Sequence, residues 1–171
     1  MSKDSDEYEK FIASIIADIK STGRNIEILC FGRDCRIEGE TGQPHQIDVA
    51  FVDRSFMTPA LVLVECKLRT DRNAGPEVAK VAAFNQEDIG ARKEFAEDTI
   101  SIIVTSRGWS SGAQLISDRR ELRREIVPFK ADTYTFRYAG LVMGYAMDLF
   151  GTRCATETDV VRNGKSLGKR S

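Results

Sequence analysis

Residues 45–52, HQIDVAFV, and 61–68, LVLVECKL, are two short runs rich in apolar and β-branched residues, and both carry acidic groups. Runs of that length and composition read as strands. Side chains alternate faces along a strand, so Glu65 and Lys67 share one face and Cys66 takes the other. If 47–52 pairs antiparallel with 61–67 around a loop at 53–60, the symmetric register matches 52 with 61, 50 with 63 and 48 with 65. Asp48 then lies opposite Glu65. Carboxylates so placed have Cβ atoms about 5 Å apart and repel unless a proton or a cation lies between them. A hard divalent cation is the natural guest.

The same register puts Ala50, Val52, Leu61 and Leu63 on the acidic face, so the charges sit where an apolar surface meets solvent. Charge on a partly desolvated face costs free energy unless it is paired or metal-bound, and such groups are often functional. An E-x-K triplet alone is weakly specific and reads first as a structural ion pair at a strand end. The upstream Asp48 on the neighbouring strand favours a site.

The order Asp48, hairpin, Glu65-Cys66-Lys67 resembles the PD-(D/E)XK nuclease superfamily, with Ile47 standing where the proline of that name would be. Two further stretches resemble its Mrr-like restriction endonuclease branch: Tyr8-Glu9-Lys10-Phe11 in the first helix and TISIIVTSRGWSSGAQLIS from Thr99. The likeness covers residues 8–128. It implies a three-layer restriction-endonuclease-like α/β fold, a central mixed β-sheet flanked by helices. It also implies roles: Asp48 and Glu65 bind Mg2+, Lys67 assists the attacking water, and Glu9 completes the site. On that reading the Cys66 carbonyl is a third metal ligand, and Mn2+ substitutes for Mg2+. Without the resemblance, Glu9 reads as a helix-capping residue paired with Asp6.

A chain of 171 residues is one domain by length and can bury a sizeable core. Apolar content of 42% and charged content of 30% fit a globular protein. The opening MSKDSDEYEK has no apolar stretch of a secretory signal, and no segment reaches the ~20 apolar residues of a membrane span. A cytoplasmic home without membrane contact is therefore expected. Cys30, Cys35, Cys66 and Cys154 lack the C-x-x-C spacing of zinc sites and are expected to be reduced core residues. The single histidine, His45, makes a Ser-His-Asp triad or a His-rich zinc site a poor match, and it reads as a turn residue near the substrate.

Net charge is −1 and pI about 5.9, unlike a protein that grips nucleic acid by bulk electrostatics. Positive charge is nevertheless clustered, at Arg119, Arg120, Arg123, Arg124 and Lys130 and again at Arg162, Lys165, Lys169 and Arg170. The first cluster reads either as a solvated helix face, with Glu121 partnering Arg124, or as contact with a DNA backbone.

Apolar residues at spacings of three and four predict a first helix over 6–20. NIEILCF from Asn25 predicts a strand, continued or bulged over 33–38, and GETGQPHQ reads as turn. The strand at 60–68 is apolar on both faces and should be covered on both sides. A helix is expected from Pro76 to Phe95, with a break near Gly90 as the alternative; Asn85, Asp88 and Arg92 on its apolar side are either a buried polar network or that break. TISIIVTS predicts a central strand, followed by a helix capped by Ser110 or Ser111 whose N-terminus could meet an anion. Trp109 either packs or stacks on a base.

The organisation expected is a nuclease-like core over 1–130, a packing or dimerisation helix of the same domain within 131–160, centred on Tyr138 to Phe150, and a basic tail over 161–171. The function expected is a Mg2+-dependent endonuclease acting on DNA, with RNA also possible, of restriction or repair type. A homodimer through 138–150 is one expected assembly, and a protein partner supplying sequence recognition is another. Two other readings stay open: a non-catalytic module keeping the nuclease fold, and a metal-dependent phosphohydrolase of small nucleotides, for which low basicity is natural.

Overall fold

The computed structural model describes residues 3–21, 25–54, 59–92 and 99–127. The first helix, α1, spans Lys3–Ser21, earlier than the apolar period begins. Asp6 therefore lies inside the helix instead of capping it. Its carboxylate is 3.6 Å from Arg33.

Five strands form one mixed sheet in the order β1 (Ile26–Phe31), β4 (Val49–Asp53), β5 (Ala60–Lys67), β6 (Thr99–Thr105), β7 (Arg123–Ile126). β4 pairs antiparallel with β1 on one side and β5 on the other, whereas β5, β6 and β7 run parallel. The two parallel steps are made through helices, α2 (Pro76–Gly90) and α3 (Ser111–Arg119), as parallel neighbours require. This is a three-layer α/β fold, a mixed sheet between helices. No described helix is long and apolar enough to cross a membrane.

Alternation along the strands decides which helix each side chain meets. Val49, Phe51, Val62, Val64 and Cys66 pack against Tyr8, Phe11, Ile12 and Ile16 of α1. Ala50, Val52, Leu61 and Leu63 form the opposite cluster with Ile89 of α2. Covering β5 on both faces explains why its sequence is apolar without alternation. Burying a Val or Leu side chain fully contributes roughly 1.5–3 kcal/mol. Most of β5 is buried, and polar character returns only at its C-terminal end.

Some expectations change. Residues 33–38 do not extend β1: a separate hairpin forms from β2 (Arg36–Glu38) and β3 (Pro44–Gln46). His45 is in β3 and 4% exposed, so it is no turn residue. Asn85 and Asp88 are buried within an uninterrupted α2, which selects the buried polar alternative. Arg92 lies beyond that helix and donates to the Glu38 carbonyl at 3.0 Å.

The arginine run does not form a helix face. The helix ends at Arg119, Glu121 takes φ 56, and Arg123 and Arg124 belong to β7. Arg124 pairs with Asp118 at 2.8 Å rather than with Glu121. Trp109 packs against Ala74, Val78 and Leu122 at 9% exposure, which takes up the ring as core. Ser110 caps α3 by accepting from the Ala113 N–H.

Cys30 and Cys35 form a disulfide, against the expectation of reduced thiols; the loop between them turns at Gly32, φ 80. Cys66 is free and buried, as expected. Cys154, Lys130, Phe95, the expected 138–150 helix and the 161–171 tail lie outside the described residues.

Candidate active site

β4 and β5 adopt the register expected from sequence, with Ala50 opposite Leu63 and Val52 opposite Leu61. The last pair at this end is Val49 with Val64, so Asp48, one residue before β4, arrives beside the Glu65 step. Its Oδ2 accepts the Cys66 N–H at 2.7 Å, stitching the acidic residue to the strand that carries the other two groups. The backbone on its far side is also fixed. Asp48 O accepts the Gly32 N–H at 2.7 Å, and Ile47 N–H donates to Cys35 O at 3.2 Å. The disulfide loop thus brackets residues 47 and 48.

Glu65 and Lys67 share the face predicted for them. Lys67 Nζ is 2.5 Å from Glu65 Oε1 and 3.9 Å from Asp48 Oδ2. Asp48 is 5% exposed, while the Lys67 side chain keeps 32% of its surface in solvent. The site therefore opens outward at the lysine and closes inward at the carboxylates. Cys66 points to the other face, into the α1 cluster.

Electrostatics follow from that geometry. Burial raises the pKa of Asp48 above the ordinary carboxylate value, against the opposing pull of Lys67 and the Cys66 N–H. Burial and then the Asp48 charge raise Glu65, with Lys67 opposing. Desolvation would lower Lys67, but Glu65 and Asp48 outweigh it and hold the ammonium above its usual value. Glu9, 5% exposed on α1, is pushed up to about 7 by burial, then by Asp48 and Asp6. Glu9 therefore reaches the interior and is coupled to Asp48 through the field. Burial, then Asp48 and Glu65, drives the Cys66 thiol well above its usual value, so it is inert as a thiolate.

Carboxylates with raised pKa values at one spot describe a place short of positive charge. That suits a hard divalent cation of the magnesium type, which takes one or two protein carboxylates and fills its shell with water and substrate phosphate oxygens. Among the described residues, no group of three or more His, Cys, Asp and Glu side chains is gathered tightly enough to hold a metal. Asp48 and Glu65 are the two carboxylates that meet at Lys67.

Sequence reasoning missed two features around this pair. A small cavity behind Glu65 is lined by Asn85 and Ser101; its signal was the polar residue on the apolar side of α2. The disulfide bracket had only a Cys-x4-Cys spacing to announce it.

No protein-family model matches the chain, and no curated protein does. Among solved structures, a protein of unknown function designated AF1548 superposes with TM-score 0.51 at 12% identity, covering 92% of this chain and 96% of that one. A repair endonuclease from Pyrococcus abyssi superposes with TM-score 0.49 at 14% identity over 74% of this chain. The MspJI restriction endonuclease, in complex with a 27-mer oligonucleotide, gives TM-score 0.48 at 17% identity over 91% of this chain. This chain spans only 47% of the repair endonuclease and 35% of MspJI. At these identities the likeness is one of fold. The AF1548 superposition, which runs through nearly the whole of both chains, agrees with the three-layer sheet described above.

Proposed function

We propose that this chain is a metal-dependent endonuclease that hydrolyses phosphodiester bonds in DNA, of restriction or repair type. One observation carries the reading: Asp48 and Glu65, buried and raised in pKa, converge with a cationic Lys67 at the one place where β5 opens to solvent. Asp48, Glu65 and the Cys66 carbonyl are the groups that would hold Mg2+, or Mn2+ in its place. When bound, such an ion polarises a phosphate and lowers the pKa of an attacking water.

The chain's own residues supply the rest. Asp48 is held at both ends, by Cys66 N–H on its carboxylate and Gly32 N–H on its carbonyl, so it is set before substrate arrives. Lys67, kept protonated by its two acidic neighbours, serves as a hydrogen-bond donor that orients the water or neutralises charge developing on the phosphate, and not as a base. Glu9 adds negative charge from the α1 side. The repair and restriction endonucleases of similar fold agree with this direction, although their likeness is one of fold.

Purified protein with Mg2+ or Mn2+ should cleave DNA, tested on plasmid, linear, single-stranded and methylated substrates with RNA alongside. Asp48→Asn, Glu65→Gln and Lys67→Met should each abolish cleavage while circular dichroism stays unchanged. Cleavage that persists in all three variants refutes the assignment. DNA binding without cleavage would favour the non-catalytic module, and turnover confined to mononucleotides would favour the small-nucleotide hydrolase.

A further inference from the structure

We propose that Asn85 is a positioning residue, which together with Ser101 holds one water molecule behind Glu65 and so fixes the orientation of that carboxylate. A cavity of about 10 Å³ between β5, β6 and α2 is lined by Glu65, Asn85 and Ser101, with Ile47, Leu63, Val64 and Ala82 as its apolar walls. About that volume admits one water, provided two to four polar partners surround it. Glu65, Asn85 and Ser101 are the residues that can supply those partners; the rest of the lining is apolar.

Asn85 is the informative member. It is 6% exposed on the sheet-facing side of α2, beside Ala82 and Ile89, where an apolar residue would pack. Its amide carries two donors and an acceptor, and none is engaged by a described residue. A polar group so placed, with no partner among the described residues, calls for a water. Ser101, 2% exposed, reaches only the Ala82 carbonyl, at 3.5 Å, which leaves its hydroxyl weakly used.

Glu65 completes the set from the other side. Lys67 engages Oε1, and Oε2 makes no hydrogen bond among the described residues. A water in the cavity can accept from the Asn85 amide and donate to Glu65 Oε2, with Ser101 as its remaining partner. The carboxylate is then held at both oxygens, one by the lysine and one through Asn85, and cannot rotate away from Asp48. Groups standing behind a metal-binding carboxylate in this manner commonly change metal affinity or activity by about 10- to 100-fold when removed.

The inference rests on the nuclease reading for its kinetic consequence but not for its structural one. A high-resolution crystal structure of the full chain should contain one ordered water within hydrogen-bond distance of Glu65, Asn85 and Ser101. Asn85→Leu should expel it and turn the Glu65 side chain, and Mn2+ affinity read by calorimetry should fall about tenfold or more. Its melting temperature should stay near the wild-type value, because leucine exchanges the amide and its water for apolar contact. Should the leucine not fit, Ser101→Ala tests the same water with less change of shape and a smaller fall in affinity.

A wild-type cavity without ordered solvent overturns the proposal. So does an Asn85→Leu protein in which Glu65 stays in place and Mn2+ binds as before. A wild-type protein that holds the water but neither binds Mn2+ nor cleaves DNA would support the positioning role and sink the nuclease reading alone.

Discussion

Two buried polar clusters flank Ile47, and they are built on opposite electrostatic plans. On one side the Asp88 carboxylate receives His45 Nε2 at 2.5 Å, the Thr41 hydroxyl at 2.8 Å and the Thr41 N–H at 3.1 Å. The His45 hydrogen bond lowers the Asp88 pKa, burial opposes it, and the Thr41 donors add to it. Gly39 packs so closely on Asp88 that a Cβ there would collide with the carboxylate. On the other side, Asp48 and Glu65 share one lysine and one backbone N–H, and all three acidic groups, Glu9 included, are raised. The first cluster satisfies its charge and ties the β2–β3 hairpin to α2. The second holds unmatched charge at the one opening of the sheet, a cost that structure alone does not require.

That contrast makes opposite demands on substitution. Glu65→Gln removes a charge the fold struggles to bury, so cleavage should fall by more than the ~10²-fold typical of a merely supporting group while the urea midpoint rises. A Glu65→Gln protein that is less stable than wild type would place Glu65 with Asp88 among the architectural carboxylates.

Glu9 sharpens the same point through pH. Its folded-state pKa of about 7 against an ordinary 4.5 means the folded protein retains a proton that the unfolded chain has lost. The associated stability is fully present below about pH 4.5 and disappears as pH rises through 7. Asp48 and Glu65 are shifted the same way and steepen the decline. Urea midpoints at pH 5 and pH 8 should show it, Glu9→Gln should flatten it, and Mg2+ at pH 8 should offset part of it. A profile that is flat in the wild type would mean that Glu9 is not buried near the pair. On cleavage, Glu9→Gln should cost about 10- to 100-fold, as for a group acting on the ligands from outside.

The disulfide comes next in size. Removing Cys30–Cys35, with a sequence separation of 5, should cost about 2 kcal/mol through the loop it closes in the unfolded chain. The Cys30→Ser/Cys35→Ser double variant, followed by urea unfolding, measures it. Because the bracketed loop holds Asp48 O and Ile47 N–H, cleavage should fall as well, by less than in Glu9→Gln. Equal stability of the variant and the wild type would show that the bridge does not form in solution.

The site was legible where local periodicity fixes geometry. Asp48, Glu65 and Lys67 could be placed on one face because strand alternation and a symmetric hairpin leave little freedom, and the register came out as expected. Glu9 was legible only through a family likeness, since without it the residue reads as a helix cap paired with Asp6. The cavity behind Glu65 was not legible: it depends on how α2 crosses β5 and β6, a relation between elements that no local pattern encodes. Asn85 and Asp88 looked alike from sequence, as two polar residues on an apolar helix face. One proves to be tied to His45 and Thr41, while the other faces Glu65 across the cavity. The arginine run failed for a further reason. Helix propensity carries through Arg120 to Arg124, but Glu121 takes a positive φ and the chain turns to become β7, a tertiary choice that overrides propensity.

Asp88→Asn carries the smallest expected effect on cleavage and tests the division most directly. It keeps the shape and removes the charge. The Thr41 N–H and hydroxyl and the His45 ring then face a neutral amide, one side of which presents donors against donors. The hairpin tie weakens, so the melting temperature should fall. The acid limb of the unfolding curve should also change. Because the Asp88 pKa lies below its ordinary 3.8 in the folded protein, its contribution is present above that value and is lost as pH falls beneath it, and the variant should no longer show that loss. Mn2+ affinity and the rate per folded molecule should stay at wild-type values, because Asp88 acts on α2 and the β2–β3 hairpin and touches neither Asp48 nor Glu65. If a folded Asp88→Asn protein loses Mn2+ binding as Glu65→Gln does, the two clusters work as one network through Ile47. The satisfied carboxylate would then belong to the chemistry as much as the strained ones.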